Sequence, residues 1–407
     1  MNCRHCQKKL EHLFLDLGFA PPSNAYRLAK DLDKPEKRYP LRVFVCDKCW
    51  LVQTEDFVDR EELFGSEYAY FSSTSTSWLD HAASYSQMIQ EKLSLTSDSL
   101  VLEVACNDGY LLKNFVNAGI PCLGVEPTTS TASVAIDLGI PVHIEFFGET
   151  LAKKLVAKEK QADLIIGNNV YAHVPDINDF TLGLKRMLKP HGTVTLEFPN
   201  LLKLILQNQF DTVYHEHFSY LSLHAVQAIF ETAGLKIYDV EEWSTHGGSL
   251  RIYGCHKHAG FNTVGRVYQQ LQKEEDAGLL NIKTYLDFQQ KADKIKNNLQ
   301  AFLAKQKNLG KLVAGYGAAA KGNTLLNYAG VKPELLPFVC DAAPSKQGKF
   351  LPGSNIPILD VGKLKEVKPD FIIIFPWNIA EEILQVCSFA KEWNATFITI
   401  IPEWREF

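Results

Sequence analysis

Hydrophobic and polar positions divide the chain into stretches of different period. YPLRVFVC (39–46) has the β-branched and aromatic content of a strand, and it leads into a cysteine knuckle. From about residue 75 short apolar runs alternate with helical patterns. SLVLEVA (99–105) ends in CNDGYLLKNF, where a glycine turn precedes a helix, and PCLGVEP, ADLIIGNN and GTVTLEFPN supply further strands. Strand, helix and strand in this rhythm predict a doubly wound parallel sheet, with ligands beyond the carboxyl ends of the strands. Residues 260–310 are polar, lack proline and repeat apolar residues at helical spacing, which predicts a helical linker. A second α/β unit starts at KLVAGYGAAAKGN and closes with DFIIIFPWN and ATFITIIPEW. The fold class is therefore α/β with two Rossmann-like sheets. The expected divisions are a metal-binding domain over 1–66, a first nucleotide-type domain over 67–258, the linker over 259–305 and a last domain over 306–407.

Composition narrows the function. A length of 407 residues suits two or three domains, and 46% hydrophobic with 22% charged residues suits a globular protein. The formal charge of -5 argues against a general nucleic-acid binder, which must neutralise many phosphates. No apolar run approaches the length of a membrane span, and Met1 leads into NCRHCQKK rather than a signal segment, so the expectation is a cytoplasmic protein without a membrane partner.

Nine cysteines are then expected as thiols or metal ligands rather than disulfides. Cys3 with Cys6 and Cys46 with Cys49 form two CxxC knuckles, which together offer the four thiolates of a closed structural zinc site. The 39 residues between the pairs imply an inserted loop, PPSNAYRLAKDLDKPEKRY. A redox role for either pair and a zinc ribbon acting as an interaction module are the competing readings. Neither pair lies in a βαβ pattern, and no basic and aromatic stripe surrounds them.

The turn after the first strand of the central unit reads Glu103-Val-Ala-Cys-Asn-Asp-Gly109, with a single glycine. A dinucleotide pyrophosphate requires close backbone approach at several points, so the missing glycines favour S-adenosylmethionine over NAD. Asn107, Asp108 and Gly109 suit the amino-acid end of such a cofactor. Glu126, 23 residues after Glu103, suits the ribose hydroxyls, and Asn168 and Asn169 would line the same crevice. Solvated acids and turn-capping asparagines are the plain alternatives. In the last unit the GYG turn is weak support for an NAD-dependent sugar oxidoreductase. Lys321, Lys346 and Lys349 around a strand-end crevice suit a diphosphate, although Lys321 equally suits an exposed position.

DTVYHEHFSYLS (211–222) follows the strand TVTLEFPN and concentrates proton carriers: Tyr214, His215, Glu216, His217 and Tyr220. Methyl transfer to oxygen or nitrogen needs mainly positioning. Transfer to carbon first requires loss of a proton, hence a base and a donor that stabilises an enolate. His217 suits the base and a tyrosine hydroxyl the donor. Glu216 either orients an imidazole or is itself the base in a dry pocket, and His173 belongs on the same rim. Chelation of a metal by His215, Glu216 and His217 is the rival use of the segment.

At GSEYAYFSSTSTSW, NNVYAHVPD, VYHEHFSYLS, HGGSLR, AKGNTLLN, KQGKFLPGSNIPI and FPWN, together with the paired CxxC, the chain resembles the sugar C-methyltransferases of deoxysugar biosynthesis. The likeness is strongest to the 3-C-methyltransferases acting on dTDP-4-keto-6-deoxyhexoses. It implies a zinc-bearing amino-terminal domain, a class I S-adenosylmethionine-dependent domain and a carboxyl-terminal domain that helps hold a nucleotide sugar. Carried onto this sequence, it makes His217 the base toward C3 and Tyr214 a donor to the enolate. It places Tyr68, His173 and Glu216 at the other active-site positions. It makes His246, Ser249 and Arg251 substrate contacts, joined in the last domain by Lys321, Asn323, Lys346 and Lys349. A monomer is expected. Ala105 stands where the family more often has glycine, which puts the contacts of that turn in question.

Overall fold

The computed structural model describes residues 1–57, 71–74, 76–158 and 161–407. Three sheets organise them. β1 (His12–Ala20), β2 (Tyr39–Val45) and β3 (Val52–Thr54) form an antiparallel ladder just after the first cysteine knuckle and around the second. The central sheet then takes β4 (Val101–Val104), β5 (Cys122–Val125), β6 (Val142–His143), β7 (Ala162–Asn168) and β8 (Leu188–Pro199). The chain leaves it for β9 (Ser219–Tyr220), which pairs with β3 and gives the first sheet its fourth strand. It returns as β10 (Leu235–Trp243) and β11 (Ser249–His256), an antiparallel hairpin added beside β8.

The central order is β10-β11-β8-β7-β4-β5-β6, parallel from β8 to β6. All four residues of β4 are buried, as expected for a strand covered by helices on both faces. Strand order reverses between β4 and β7, and in open α/β sheets such a reversal opens a crevice at the carboxyl ends of the strands. The last sheet repeats the device with β12 (Val313–Tyr316), β13 (Val339–Cys340), β14 (Ile358–Leu359), β15 (Phe371–Ile374), β16 (Thr396–Thr399) and β17 (Arg405–Glu406). Their order is β14-β13-β12-β15-β16-β17, with the reversal between β12 and β15.

The expected linker is three helices, Gly265–Asp276, Ile282–Leu286 and Phe288–Asn308. They do not hang between domains. Phe14 of β1 meets Tyr285 and Phe288 with ring centroids 5.5 and 4.8 Å apart, and each of these rings is almost wholly buried. A phenylalanine so enclosed contributes about 3–5 kcal/mol relative to alanine. Glu274 of the first linker helix accepts from the backbone N–H groups of Leu223 and His224 (2.7 and 3.0 Å), and so caps the helix Leu223–Ala233. One apolar core joins the cysteine knuckles to the central sheet, and another joins the first sheet to the linker and the last sheet. The amino-terminal sheet is therefore wedged between the other two units. Among the described residues, no helix is long and apolar enough to cross a membrane.

Candidate functional site

The two knuckles meet. Gln7 and Trp50 adopt positive φ just after the CxxC pairs, which turns each tightly, and the four sulfurs lie within 4.8 Å of one another. Cys3 Sγ to Cys49 Sγ and Cys6 Sγ to Cys46 Sγ are both 3.5 Å. A tetrahedron with zinc–sulfur bonds of about 2.3 Å has edges of nearly that length, so the donor set fits zinc.

At the β4–β7 reversal the backbone turns through three positive φ values in five residues, at Ala105, Asn107 and Gly109 (57°, 51° and 77°). A side chain at Gly109 would strike Ile140 at 2.6 Å, so this position requires glycine. The turn aims two backbone N–H groups and two side chains. Asn107 and Thr128 donate from their backbones to Glu126, at 3.0 and 2.9 Å. The side chains of Asn107 and Asp108 accept from the backbones of Ser72 and Ser73.

Both carboxyl oxygens of Glu103, one of Asp108 and both side-chain atoms of Asn168 are buried without a partner among the described residues. Burial pushes the Glu103 carboxyl well above its usual range, and the charges of Asp108 and Glu126 add to that. Burial also raises Glu126. Three clustered acids with no lysine or arginine paired to them among the described residues suit a ligand that brings its own cation and hydroxyls. S-adenosylmethionine, with an ammonium, a sulfonium and a ribose, meets that description.

Beyond the neighbouring strand, β8 hands over through the helix Leu201–Leu206 and the turn Phe210–Thr212 to the segment 213–217. His217 is buried and its Nδ1 lies 2.8 Å from the Thr212 carbonyl oxygen, which only accepts, so Nδ1 carries the hydrogen. The lone pair is left on Nε2. Around the imidazole stand Tyr214, His173 and Tyr220, with centroids 4.0, 4.7 and 6.0 Å away. Burial, helped by His173, holds His217 well below its usual pKa, so it is neutral at pH 7. Burial raises Glu216 to about 7, although Asn24 donates to it.

The last sheet supplies the opposite wall. Lys321 donates to Asn378 (2.8 Å) and lies 4.1 Å over the Trp377 ring, and Trp377 donates from Nε1 to Asp211 (2.7 Å). Burial lowers Lys321 to about 8, against the attraction of Asp211, and raises Asp211 to about 6. Gly247 touches the other face of this contact, since a side chain there would meet Trp377 at 2.2 Å. The crevices of the two sheets therefore open on each other.

Three family models match the chain: a zinc binding domain over residues 3–64, a methyltransferase domain over 80–240 and a C-methyltransferase C-terminal domain over 244–402. The C-methyltransferase NovU of Streptomyces niveus is 34% identical over 90% of this chain and 87% of its own length. The chain belongs to this C-methyltransferase family. A ubiquinone biosynthesis O-methyltransferase of Bartonella bacilliformis is 25% identical over 31% of this chain and 60% of its own. Among solved structures, magnesium protoporphyrin IX methyltransferase of Synechocystis with bound S-adenosylhomocysteine matches at 16% identity and a TM-score of 0.34, covering 49% of this chain and 93% of its own. The protein is thus an S-adenosylmethionine-dependent C-methyltransferase with a zinc-binding domain, and the oxidoreductase and bare-ribbon readings fall away.

Within this C-methyltransferase the residues expected at the substrate are differently placed. Arg251 is 1% exposed and bound to Glu197 through Nε (3.1 Å) and Nη2 (2.6 Å), while Ser249 donates to the Thr245 carbonyl. Both are spent inside the protein, because the β8–β11 register sets Arg251 directly opposite Glu197. Of HGGSLR, His246 reaches the crevice, where Asn169 donates to its Nε2 at 3.0 Å. Asn323 is buried and donates to the Ser23 carbonyl. Lys346 donates to Ala318 and Asp341, and Lys349 is half-buried on the same loop. His215 turns away to the Pro40 carbonyl, so it forms no chelate with His217, and among the described residues the four cysteines alone cluster as metal ligands. Tyr68 lies outside the described residues. The roles of Asn24, Asp211, Trp377 and the His81–Glu197 contact were missed by sequence reasoning, although Asp211 opens the DTVYHEH segment and Trp377 lies in FPWN.

Proposed function

We propose that the protein methylates C3 of a dTDP-4-keto-6-deoxyhexose through an enolate. The observation that carries this reading is His217, whose Nδ1 hydrogen is pinned to Thr212 so that a neutral Nε2 lone pair faces a ring of phenol and imidazole groups. A fixed tautomer is what a general base needs and a methyl transfer to oxygen does not. His217 Nε2 takes the hydrogen of C3, which the neighbouring C4 ketone acidifies. The electron pair moves into the C3–C4 bond and charge collects on the ketone oxygen, where the Tyr214 hydroxyl donates. Glu216, near its midpoint at pH 7, faces the same ketosugar as a proton reservoir. Bound S-adenosylmethionine supplies an electrophilic methyl group on a sulfonium. The enolate carbon would take that methyl as the C3–C4 double bond is spent and the sulfur–methyl bond breaks, its electron pair staying on the sulfur of departing S-adenosylhomocysteine, and the ketone would re-form. Glu103, Asn107, Asp108, Gly109, Glu126, Asn168 and Asn169 hold the cofactor. Lys321 and Lys346, with Lys349, face the diphosphate from the last sheet.

The test is incubation with S-adenosylmethionine and a panel of 4-keto nucleotide sugars in deuterium oxide. Methyl incorporation at C3, with solvent exchange at C3 that disappears in His217→Asn, is the expected result. Methylation of a hydroxyl, or of C3 undiminished in His217→Asn, overturns it.

A further inference from the structure

The loop inserted between the two cysteine knuckles has no part in holding metal, yet it ends at the candidate site. Asn24 Nδ2 donates to Glu216 Oε1 at 2.8 Å, across 192 residues of sequence. The loop is fixed on both sides of that contact. Asn323 donates to the Ser23 carbonyl at 2.6 Å, Tyr26 donates to the Ala318 carbonyl at 2.6 Å, and Arg27 and Phe350 exchange backbone hydrogen bonds at 3.0 and 2.8 Å. The helix that carries Asn323 also grips the segment 213–217, since Thr324 donates to the Val213 carbonyl at 2.9 Å. All three units thus converge on Glu216.

We infer that Asn24 is a positioning residue for the methyl-transfer site, holding the Glu216 carboxyl in one orientation and favouring its ionised form. The zinc-binding domain is then a working wall of the active centre. The inference deepens the proposed function and rests on Glu216 acting there. An amide N–H stabilises a carboxylate more than a carboxylic acid, so its loss raises the carboxyl's pKa. The titratable groups around Glu216 are Tyr26 on the loop, His173 on the turn after β7, whose ring bonds the Glu216 backbone, and His215 and His217 on its own segment. None forms an ion pair with Glu216 among the described residues, which leaves the Asn24 hydrogen bond as the side-chain contact that works against burial in its titration. A bare packing role for Asn24 would leave that titration where it is.

Two variants of the full-length protein, Asn24→Ala and Asn24→Asp, test this. The Glu216 carboxyl band is followed by pH-difference infrared spectroscopy, with Glu216→Gln to identify it. Asn24→Ala is expected to move the titration upward by about one pH unit, the usual scale of one hydrogen bond to a charged group. Asn24→Asp, which sets a second carboxyl against the first, is expected to move it further. The pH dependence of methyl transfer to dTDP-4-keto-6-deoxyglucose should shift in the same direction, while the affinity for S-adenosylhomocysteine stays within about twofold. An unmoved carboxyl band in either folded variant overturns the inference. A band that moves while wild type methylates none of the ketosugars supports the role of Asn24 and overturns the substrate reading instead.

Discussion

Replacing Arg251 by leucine separates a structural role from substrate contact. Arg251 sits opposite Glu197 in the β8–β11 ladder, bonds it twice, and lies over the rings of Tyr85 and Trp243 at 4.5 and 4.7 Å. Burial alone would raise the Glu197 carboxyl, but the His81 hydrogen bond and the charge of Arg251 outweigh it and bring the carboxyl down to about 2 from the usual 4.5. That displacement corresponds to about 3 kcal/mol, and removing one partner of a buried pair generally costs about 3–5 kcal/mol. At about 2–4 °C per kcal/mol for a unit of this size, Arg251→Leu should lower the Tm by about 10 °C, read by circular dichroism. The Glu197 pKa is depressed in the folded state, so its contribution is complete above about pH 4.5 and is lost as pH falls toward about 2. The double variant Glu197→Gln, Arg251→Met should recover part of the loss. A Tm within about 2 °C of wild type, with KM for the ketosugar raised tenfold, would refute this reasoning.

His217→Asn should lower kcat at least about 100-fold while the Kd for S-adenosylhomocysteine, by calorimetry, changes less than about threefold. Cys46→Ser should lose its zinc in elemental analysis together with much of its thermal stability, since closed four-cysteine sites contribute folding energy directly. Burial lowers His173 and His246 to about 4 and holds His217 well below its usual value, so these three groups bind more protons in the unfolded chain below about pH 6.5. Their own contribution to the denaturant midpoint therefore falls from pH 6.5 to about 4, against the opposite contribution of the raised Glu103, Asp211 and Glu216 carboxyls. It is read as the difference between wild type and His246→Gln, and a difference that does not change over that window would contradict a neutral buried imidazole. Ala105 holds a φ of 57°, which costs a residue with a Cβ about 1–2 kcal/mol. After glycine's extra entropy cost, Ala105→Gly should stabilise by about 0.5–1 kcal/mol, seen as a small rise in Tm.

Features written in local chemistry were legible in the sequence. The CxxC pairs announce a metal knuckle by spacing alone, and the strand ends at Glu103, Asn168 and Phe198 follow from apolar runs broken by polar turns. The crowding of proton carriers at 214–217 is likewise visible along the chain. What sequence cannot give is pairing across distance. Arg251 looks like a ligand contact because its loop lies near the site, but the hairpin register turns it inward to Glu197. Asn323 and Lys321 both belong to AKGNTLLN, yet domain docking takes Asn323 to the Ser23 carbonyl while Lys321 stays within its own unit, on Trp377 and Asn378. Asn24 sits in a loop whose only sequence signature is its length.

The short strand β9 reaches back to β3, where Val52 pairs with Tyr220 and Gln53 with Ser219. As the polypeptide emerges from the ribosome, the amino-terminal ladder therefore waits through the synthesis of β4 to β8 before its open edge is closed. At about 5–20 residues per second that is a delay on the order of ten seconds or more, during which the exposed β3 edge invites chaperones or mispairing.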